Sequence, residues 1–383
     1  MDNNEIKKMI GETFNDLADA LETGHFKKVR IGLTTLGSEH GENTLIEAAE
    51  IASKEGIEVV LIGPKNNTTF ETYETNCQNE AHKIMEELLD KNIIGGCVTL
   101  HYNFKIGVST VGKMVTPAYG KEMLIATTTG ASDTDRTIAM FKNTLYGIIT
   151  AKALGIPKPT VGVLNVDNAQ SVVRLLDKLN SQGYDINFTE SKRSDGGKIM
   201  RGNDLLMSSS DVMVTDTLTG NILMKLFSSF NTGGSYEALG YGYGPGIGFD
   251  HKRIINIISR ASGTAVIANA IMYAAKLAKG NLIEVIHQEY QKLQACNYEE
   301  IIKEFKQNNA PKTLEKTFKM PEKVVVTKEI SGIDVLDLDE ALNCLLSSGI
   351  YSETGMGCTG PVIMVSENTQ EKAQTILKEK GYI

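Results

Sequence analysis

Cys358 is the residue whose setting best suits covalent chemistry. It lies in the segment GMGCTGP, residues 355–361. Glycines on both sides of a reactive atom let a substrate approach the backbone closely and leave N–H groups free to stabilise a tetrahedral oxyanion. A thiolate is also intrinsically nucleophilic and can hold an acyl group. We therefore predict that Cys358 is the catalytic nucleophile, within an oxyanion loop formed by Gly355, Gly357, Thr359 and Gly360.

The other four cysteines lack this setting. Cys344 lies in an apolar run, as structural cysteines do, while Cys77 and Cys296 have polar neighbours and no glycine cradle. Cys97 follows two glycines at the end of an apolar strand, so it either reaches the cleft as a second thiol or lies in the core. A purely structural role remains the alternative for Cys358 as well. No histidine stands in a matching motif, so a Cys-His pair is not assigned.

Composition narrows the class of protein. The five cysteines are odd in number, widely spaced and without a CxxC pair, which favours reduced thiols over a disulfide framework or a zinc site. The formal net charge of −8 argues against a nucleic-acid-binding face. The most apolar stretch, residues 265–275, is interrupted by Asn269 and is shorter than the roughly 20 residues that a bilayer requires. We expect a cytoplasmic protein with no membrane segment, metal or other cofactor.

Residues 211–221 (DVMVTDTLTGN) are the best candidate for an anion site. An apolar strand ends there in a polar loop and a helix begins at once, so helix N–H groups and threonine hydroxyls can hold a phosphate at the carboxyl edge of a sheet. An ordinary N-cap is the alternative. The predicted phosphate-binding residues of this loop are Asp216, Thr217, Thr219, Gly220 and Asn221.

Two further loops share this character. Residues 127–130 precede a helix that begins near Asp133, and residues 259–263 precede another helix and carry a cation. Thr129 and Gly130 in the first loop, and Arg260 and Ser262 in the second, are therefore predicted to contribute to phosphate binding. Three such helix starts in one chain indicate phosphate or a phosphorylated compound as substrate.

Two nucleotide-binding patterns are incomplete. Residues 107–114 approach a P-loop, but Met114 stands where a serine or threonine should hold magnesium. Gly242, Gly244 and Gly246 alternate instead of forming the glycine pattern of a dinucleotide-binding turn. Both a nucleoside triphosphatase and a nicotinamide enzyme are therefore disfavoured.

The elements that must position these residues alternate between strand and helix. The strands are apolar runs, which is typical of a parallel sheet covered on both faces, and the pattern predicts a doubly wound, mainly parallel α/β fold. Strands are predicted at 29–33, 57–62, 93–100, 123–127, 160–166, 186–188, 211–215, 323–327 and 361–365, and helices at 44–55, 80–91, 135–154, 169–182, 222–230 and 338–346, with a last helix after Asn368.

Changes in pattern predict four segments. Residues 1–25 form an amphipathic helix, residues 26–280 the two-lobed α/β body, residues 281–321 a helical connector, and residues 322–383 a small α/β module that carries Cys358. Within the body, residues 233–248 hold seven glycines and no apolar period, which predicts a loop or hinge.

The body resembles a known family. Residues 29–63, the strand at 160–166 with its helix, and above all residues 211–221 are similar to the PlsX-type phosphate acyltransferases of phospholipid synthesis, over roughly residues 28–280. The resemblance implies a two-lobed fold of the isopropylmalate-dehydrogenase type. Three loops depart from that family: 34–39 (TTLGSE for DAMGGD), 103–105 (NFK for NTG) and 260–263 (RASG for HGSS).

With its C-terminal module, the whole chain more closely resembles the alpha subunits of component C of glycine, sarcosine and betaine reductase complexes. This resemblance implies acetyl phosphate formation: a carboxymethyl group on selenoprotein A becomes an acetyl thioester on component C, which inorganic phosphate cleaves. The reactive cysteine of that family matches Cys358 and its second noted cysteine matches Cys97. The implied partners are the beta subunit and selenoprotein A, the implied ligands are phosphate and an acetyl group, and an oligomer is expected.

Two other functions stay open. One is a stand-alone phosphate acyltransferase that uses acyl carrier protein or coenzyme A. The other is a non-catalytic scaffold in which the N-terminal helix and the helical residues 281–310 organise an assembly.

Overall fold

The computed structural model describes residues 28–193, 196–308, 320–333, 338–357 and 360–383, together with six residues nearer the N-terminus: Lys7, Ile10, Gly11, Phe14, Ala18 and Leu21. These six residues are all helical. The chain divides into two compact units, Met1–Glu304 and Phe305–Ile383. The division falls inside the predicted connector 281–321, and the finer four-segment organisation stays a prediction.

A 12-stranded sheet organises the first unit. Its strands are β1 (Arg30–Thr34), β2 (Glu58–Gly63), β3 (Thr72–Glu74), β4 (Gly96–Thr99), β5 (Val108–Val115), β6 (Glu122–Ala131), β7 (Thr160–Leu164), β8 (Asn187–Phe188), β9 (Ile199–Met200), β10 (Val212–Val214), β11 (Gly244–Ile247) and β12 (Ile255–Ile257). The helices are α1 (Glu42–Lys54), α2 (Gln78–Asp90), α3 (Arg136–Ala153), α4 (Ala169–Ser181), α5 (Gly202–Leu206), α6 (Thr217–Ser229), α7 (Thr264–Lys279) and α8 (Leu282–Ala295), and α9 (Tyr298–Asn308) begins in this unit.

The strand order is β3-β2-β1-β4-β12-β11-β5-β6-β10-β7-β8, with β9 also paired to β7. At one end of the sheet, β3, β2, β1, β4 and β12 are mutually parallel. At the other end, β6, β10, β7, β8 and β9 are mutually parallel. The antiparallel strands β11 and β5 join these two halves. The predicted doubly wound, mainly parallel α/β fold is therefore confirmed.

Both faces of the sheet are buried, as the apolar strands predict. In β2, Val59 and Leu61 pack into a cluster that includes residues of α1 and α7, whereas Val60 and Ile62 pack into a second cluster that includes Met85 of α2. Alternate residues of a strand point to opposite faces. Because all four side chains are almost fully buried, this strand is covered by helices on both sides.

The glycine-rich segment 233–248 contains a strand, so predicting it as a loop throughout was wrong. Residues 244–247 form β11 between β12 and β5. A Cβ atom at Gly246 would lie 2.3 Å from the Phe104 ring, and one at Gly244 would lie 1.8 Å from Val111 O. Glycine is therefore required by close packing, and an apolar period cannot reveal such a strand. Residues 107–114 likewise lie mostly in a strand, β5, instead of a phosphate loop.

The second unit contains helices α10 (Leu338–Ser347) and α11 (Gln370–Glu379) and strands β13 (Lys328–Ile330), β14 (Ser352–Gly357) and β15 (Gly360–Val365). Its sheet order is β13-β15-β14. The strand predicted at 323–327 lies at 328–330 instead. A small core that includes Ile330, Leu345 and Ile363 holds the unit together. No helix in the described parts of the chain has the length and hydropathy to cross a bilayer.

Glu289 of α8 is a buried carboxylate held by three donors. Its oxygens accept hydrogen bonds from Lys152 Nζ at 2.6 Å, Lys292 Nζ at 2.7 Å and Tyr184 Oη at 2.7 Å. Burial alone would raise the pKa of Glu289, but these hydrogen bonds outweigh burial and the net pKa is lowered. The carboxylate therefore ties α8 to α3 and to Tyr184 only while it is ionised.

We expect Glu289→Gln to lower the free energy of unfolding by about 3 kcal/mol near neutral pH, because it removes one side of a buried ion pair. A lowered folded-state pKa contributes stability above the ordinary pKa of 4.5, and that contribution disappears as the pH falls through the folded value. Denaturant titrations should thus show the difference from wild type shrinking below about pH 4. The exposed Glu284→Gln on the same helix is the control, and a difference unchanged down to about pH 3 would contradict the prediction.

Candidate functional site

Three parallel strands end at one recess in the first unit. Strands β6, β10 and β7 are adjacent, and each is followed by a helix: α3, α6 and α4 respectively. The recess has a volume of about 560 Å³. Its described lining residues are Ala131, Asp133, Arg136, Ala139, Met140, Asn143, Val166, Asp167, Asn168, Asp216, Thr217, Leu218 and Thr219. A cleft outside the carboxyl ends of parallel strands is where ligands bind in α/β proteins.

The N-termini of all three helices face this recess. Arg136 is the first residue of α3, Asn168 precedes α4, and Thr217 is the first residue of α6. Helix N-termini carry partial positive charge and unpaired N–H groups, which favour an anionic ligand. The convergence of three N-termini on one recess therefore supports the anion site that the sequence predicts at residues 211–221.

Several of the predicted donors at the start of α6 are already engaged within the protein. The Asp216 carboxylate accepts from Thr219 N at 3.0 Å, which is the N-cap interaction. Thr217 Oγ1 donates to Gly130 O at 3.2 Å, and Asn221 Nδ2 donates to Thr128 O at 3.0 Å. In the described part of the chain, the Thr219 hydroxyl has no hydrogen-bond partner. Thr219 is thus the predicted residue best placed to donate to a ligand.

Thr129 and Gly130 are not among the described lining residues of the recess and belong to the strand on which α6 packs. The sequence predicts a loop at residues 127–130, but these residues lie inside β6, and this prediction was wrong. Thr129 N donates to Thr110 Oγ1 at 3.0 Å, so it is not available to a phosphate. The first turn of α6 packs directly on this strand, because a Cβ atom at Gly220 would lie 1.8 Å from Thr127 O. Gly220 therefore permits contact between α6 and β6.

Among the described lining residues of the recess, acidic side chains outnumber basic ones. Arg136 is the only basic residue among its described lining residues, which also include Asp133, Asp167 and Asp216. Lys142 Nζ lies 2.7 Å from Asp133 Oδ2 and neutralises that carboxylate. Asp167 is exposed and has no ion-pair partner among the described residues. One guanidinium must therefore counter two carboxylates before it can attract an anion.

Arg260 and Ser262 do not join this recess. Ser262 Oγ donates to Glu237 Oε2 at 2.8 Å, and the residue after Glu237 donates its N–H to Ser228 O at 2.7 Å. Ser228 belongs to the C-terminal end of α6, eleven residues after Thr217. At the helical rise per residue this places the two loops about 17 Å apart along α6. The three predicted loops therefore do not converge on a single anion within one chain.

The sheet topology explains this separation. The Arg260 loop follows β12, whereas the Thr217 loop follows β10, which is parallel to β6. Three antiparallel steps, β12 to β11, β11 to β5 and β5 to β6, separate the two halves. An odd number of reversals makes β12 and β10 run in opposite directions, so their carboxyl ends lie at opposite edges of the sheet.

Cys97 occupies the core. Its side chain is fully buried in β4, and burial raises the pKa of its thiol well above the ordinary value. The sequence left two positions open for Cys97, the cleft and the core, and the structure places it in the core. Cys358 and Thr359 lie outside the described residues. They connect β14 to β15, which pair in antiparallel register with Gly357 opposite Gly360.

Sequence reasoning missed Arg136, Asp167 and Asn168 as site residues. The strand and the helix on either side of residues 166–168 were predicted, and this junction carries the same signal as residues 211–221. A polar strand-to-helix turn after a parallel strand would have found Asp167 and Asn168. Arg136 carries only a weak signal, because a basic residue at the start of a helix opposes the helix dipole.

A second cavity, of about 530 Å³, lies beyond Lys142. Tyr102, Phe104 and His251 line it, and burial followed by the nearby Arg253 charge lowers the pKa of His251 to about 4. Among its described lining residues there is no cysteine, serine or threonine. The described residues contain no cluster of three or more His, Cys, Asp or Glu side chains that could hold a metal ion.

Similarity to known protein sequences covers nearly all of this chain. Residues 29–364 match the family described as "Fatty acid synthesis protein". The chain is 56% identical, over 382 residues and 99% of both chains, to the glycine/sarcosine/betaine reductase complex component C subunit alpha of Peptoclostridium acidaminophilum.

Similarity to solved structures is weaker. A branched-chain phosphotransacylase from Enterococcus faecalis V583 aligns with a TM-score of 0.43 and 15% identity, over 65% of this chain and 99% of that one. A 4-hydroxythreonine-4-phosphate dehydrogenase from Klebsiella pneumoniae aligns with a TM-score of 0.43 and 13% identity, over 66% of this chain and 100% of that one.

Proposed function

Since the chain belongs to the fatty acid synthesis protein family, within it to the component C alpha subunits of glycine/sarcosine/betaine reductase complexes, we propose that it forms acetyl phosphate from an acetyl thioester on Cys358 and inorganic phosphate. The observation that carries the proposal is the 56% sequence identity to that subunit, which extends over 99% of both chains. The recess at the ends of β6, β10 and β7 is the proposed phosphate site.

The proposed reaction is a nucleophilic acyl transfer. A phosphate oxygen attacks the carbonyl carbon of the acetyl thioester and forms a C–O bond, which gives a tetrahedral oxyanion. The C–S bond then breaks, acetyl phosphate leaves, and the Cys358 thiolate is regenerated. A thioester keeps enough transfer potential for phosphate to accept the acetyl group, and no oxidant or reductant is required.

Backbone N–H groups near the thioester would stabilise the oxyanion. In the described part of the second unit β14 is an edge strand, paired on one side only, with β15. Gly355 and Gly357 lie on this strand immediately before Cys358, and neither carries a side chain that would keep a ligand away from the backbone.

The recess would hold the attacking phosphate. Three helix N-termini supply partial positive charge, the Thr219 hydroxyl is a donor without a partner among the described residues, and Arg136 supplies the full charge. Binding of the nucleophile in a fixed position converts its attack into an effectively intramolecular step.

The partners follow from the same proposal. The acetyl group would arrive from selenoprotein A, with the beta subunit of component C completing the assembly in the cytoplasm. The residues of this chain would then catalyse only the transfer of the acetyl group from the thioester to phosphate.

Exchange of labelled phosphate into acetyl phosphate tests the proposal without partner subunits. Wild type should catalyse exchange, because formation of the acetyl thioester from acetyl phosphate is the reverse of its synthesis. Arg136→Gln should raise the phosphate KM about 10-fold, since it removes the recess's cation. Arg174→Gln, an exposed arginine on α4, is the matched control and should leave exchange unchanged.

Two results would contradict the proposal. Absence of exchange by folded wild-type protein, also after addition of the beta subunit, would reject acetyl phosphate formation. Exchange with an unchanged phosphate KM in Arg136→Gln would keep the activity but remove phosphate from this recess.

A further inference from the structure

The second cavity, of about 530 Å³, is lined by aromatic rings and by cations. Its volume lies within the range of pockets that bind small molecules. Tyr102, Phe104 and Phe249 line it and are half-buried, so part of each ring stays uncovered by the protein. The proposed acyl transfer makes no use of this cavity.

The ring of Phe104 is held in place by close packing. A Cβ atom at Gly246 would lie 2.3 Å from the Phe104 ring, so this ring lies directly on β11. Its centre is 5.0 Å from the ring centre of Tyr102 and 5.5 Å from that of His251, both in edge-to-face contact. Such contacts fix the orientation of aromatic rings. The cavity therefore has a preformed aromatic wall.

An apolar side chain in the same loop as Phe104 is left exposed. Ile106 lines the cavity and is 72% exposed. A planar ring bound in the cavity would cover the free surface of Ile106 together with that of Phe104, and burial of apolar surface favours binding. The wall is therefore suited to a planar ring.

One polar atom in this wall has no partner. His251 Nε2 is buried and makes no hydrogen bond within the described residues. The ring is neutral near pH 7, because burial and then the Arg253 charge lower its pKa to about 4. A hydrogen bond with the Arg253 backbone acts to raise that pKa, as a carbonyl that accepts from the ring does, so Nε2 is left as an acceptor. A ligand with an N–H or O–H donor would satisfy this buried acceptor.

Four of the described lining residues are lysine or arginine, and two of these are free to meet an anion. Arg253 and Lys142 are engaged in ion pairs with carboxylates. Lys105 and Lys252 are exposed and have no ion-pair partner in the described part of the chain. Among the described lining residues, Asp250 is the only carboxylate that lacks an ion-pair partner. Two ammonium groups against one carboxylate favour a doubly charged anion such as a phosphate monoester.

One class of ligand matches the aromatic wall, the unpartnered acceptor and the two free lysines. We propose that the second cavity binds a nucleoside monophosphate whose base carries an amino group. The base lies against Phe104 and Ile106, its amino group donates to His251 Nε2, and Lys105 and Lys252 bind the phosphate. Proteins generally hold nucleotides by contact of the base with aromatic side chains and by charge-assisted hydrogen bonds to the phosphate. No glycine-rich loop is needed, because lysine side chains supply the phosphate contacts.

Calorimetric titration of the full chain with adenosine 5′-monophosphate (AMP) tests the site without any assay of activity. AMP should bind, whereas adenosine and ribose 5-phosphate should each bind at least about 10-fold more weakly, because the first lacks the anion and the second lacks the base. Failure of AMP to bind, or an affinity of either fragment equal to that of AMP, would overturn the proposal.

Lys105→Gln and Lys252→Gln test where the phosphate binds. Each should weaken AMP binding about 10-fold and leave the affinity for adenosine unchanged. Lys54→Gln, at an exposed lysine of α1 that does not line the cavity, is the matched control and should bind AMP as wild type does. An unchanged AMP affinity in both cavity variants would overturn the proposed phosphate contacts.

Inosine 5′-monophosphate (IMP) tests the contact of the amino group, since IMP carries a carbonyl oxygen in its place. Two acceptors would then face each other at His251 Nε2, so wild type should bind IMP about 10-fold more weakly than AMP. His251→Phe keeps an aromatic ring at this position and removes the acceptor, so this variant should bind the two nucleotides equally. Equal affinities in wild type, or a preference for AMP that persists in His251→Phe, would overturn the contact with His251.

Lys142 lies between the second cavity and the recess. It lines the cavity, and its Nζ lies 2.7 Å from Oδ2 of Asp133, which lines the recess. A phosphate bound in the cavity would attract Lys142 and leave Asp133 less neutralised, so the recess would repel an anion more strongly. In an extension that rests on the proposed function, AMP should therefore raise the phosphate KM for exchange about 5-fold, and an unchanged KM would overturn this coupling. If no exchange occurs at all, the proposed function fails, while the calorimetric results still decide the nucleotide site.

Discussion

Replacing Cys358 by alanine is expected to reduce acetyl phosphate formation by about 10³-fold or more, because removal of a covalent nucleophile abolishes the intermediate on which the reaction depends. Cys358→Ser should be almost as inactive, since an oxygen ester lacks the transfer potential of a thioester. The rate is measured as phosphate exchange into acetyl phosphate and, with partner subunits present, as acetyl phosphate made from labelled substrate.

The thiol itself can be followed by mass spectrometry. Wild type exposed to acetyl phosphate should gain one acetyl group on the peptide that contains Cys358, and Cys358→Ala should gain none. Cys344→Ala is the control, because Cys344 lies in the same unit but in α10. Wild-type rates in Cys358→Ala, or an acetyl group that stays on another cysteine, would remove Cys358 from the reaction and favour a scaffold or a different acyltransferase.

Among substitutions near the recess that add a single methyl group, Gly220→Ala is expected to have the largest effect on stability and on phosphate exchange. The new Cβ atom would lie 1.8 Å from Thr127 O, a backbone atom of β6 that cannot rotate away. The first turn of α6 must therefore shift, at a cost of about 3 kcal/mol. The shift also displaces Thr217 and Thr219, so phosphate exchange should fall together with stability.

Gly202→Ala provides the comparison for this effect. Gly202 also lies near a helix N-terminus, in α5, but a Cβ atom added there would have no heavy atom within 4 Å beyond its own chain neighbours. Thermal unfolding should show a large decrease for Gly220→Ala and almost none for Gly202→Ala. Equal melting temperatures of the two variants would show that α6 and β6 do not pack as closely as this arrangement requires.

Much of the architecture follows from local pattern. Strands such as β2 and β7 are short apolar runs that follow glycine or proline, and helices such as α3 and α4 carry regular apolar periods, so burial on both faces of a sheet is encoded in neighbouring residues. The same local chemistry identified residues 216–221 as a polar strand-to-helix turn. Strand β11 escaped this reasoning, because Gly244 and Gly246 are selected by close packing and leave no apolar signal.

Which residues meet at the recess depends on which strands pair, and these strands are distant in the sequence. Arg136, Asp167 and Asn168 meet Thr217 only because β6, β10 and β7 are neighbours. Arg260 is excluded from that group because three antiparallel pairings reverse the direction of β12 relative to β10. No local pattern contains this information, since strand order and direction depend on contacts between residues far apart in the chain.

The sequence by itself determined the fold class and the family, because each depends on residue types within short segments or on similarity along the whole chain, and the role of Cys358 stays a prediction from the sequence. Only the tertiary structure decided that Cys97 is sealed in the core, that the first turn of α6 packs on β6, and that Arg260 and Thr217 lie at opposite ends of α6. Burial, packing and strand direction are properties of residues brought together from distant positions, so they exist only in the folded chain.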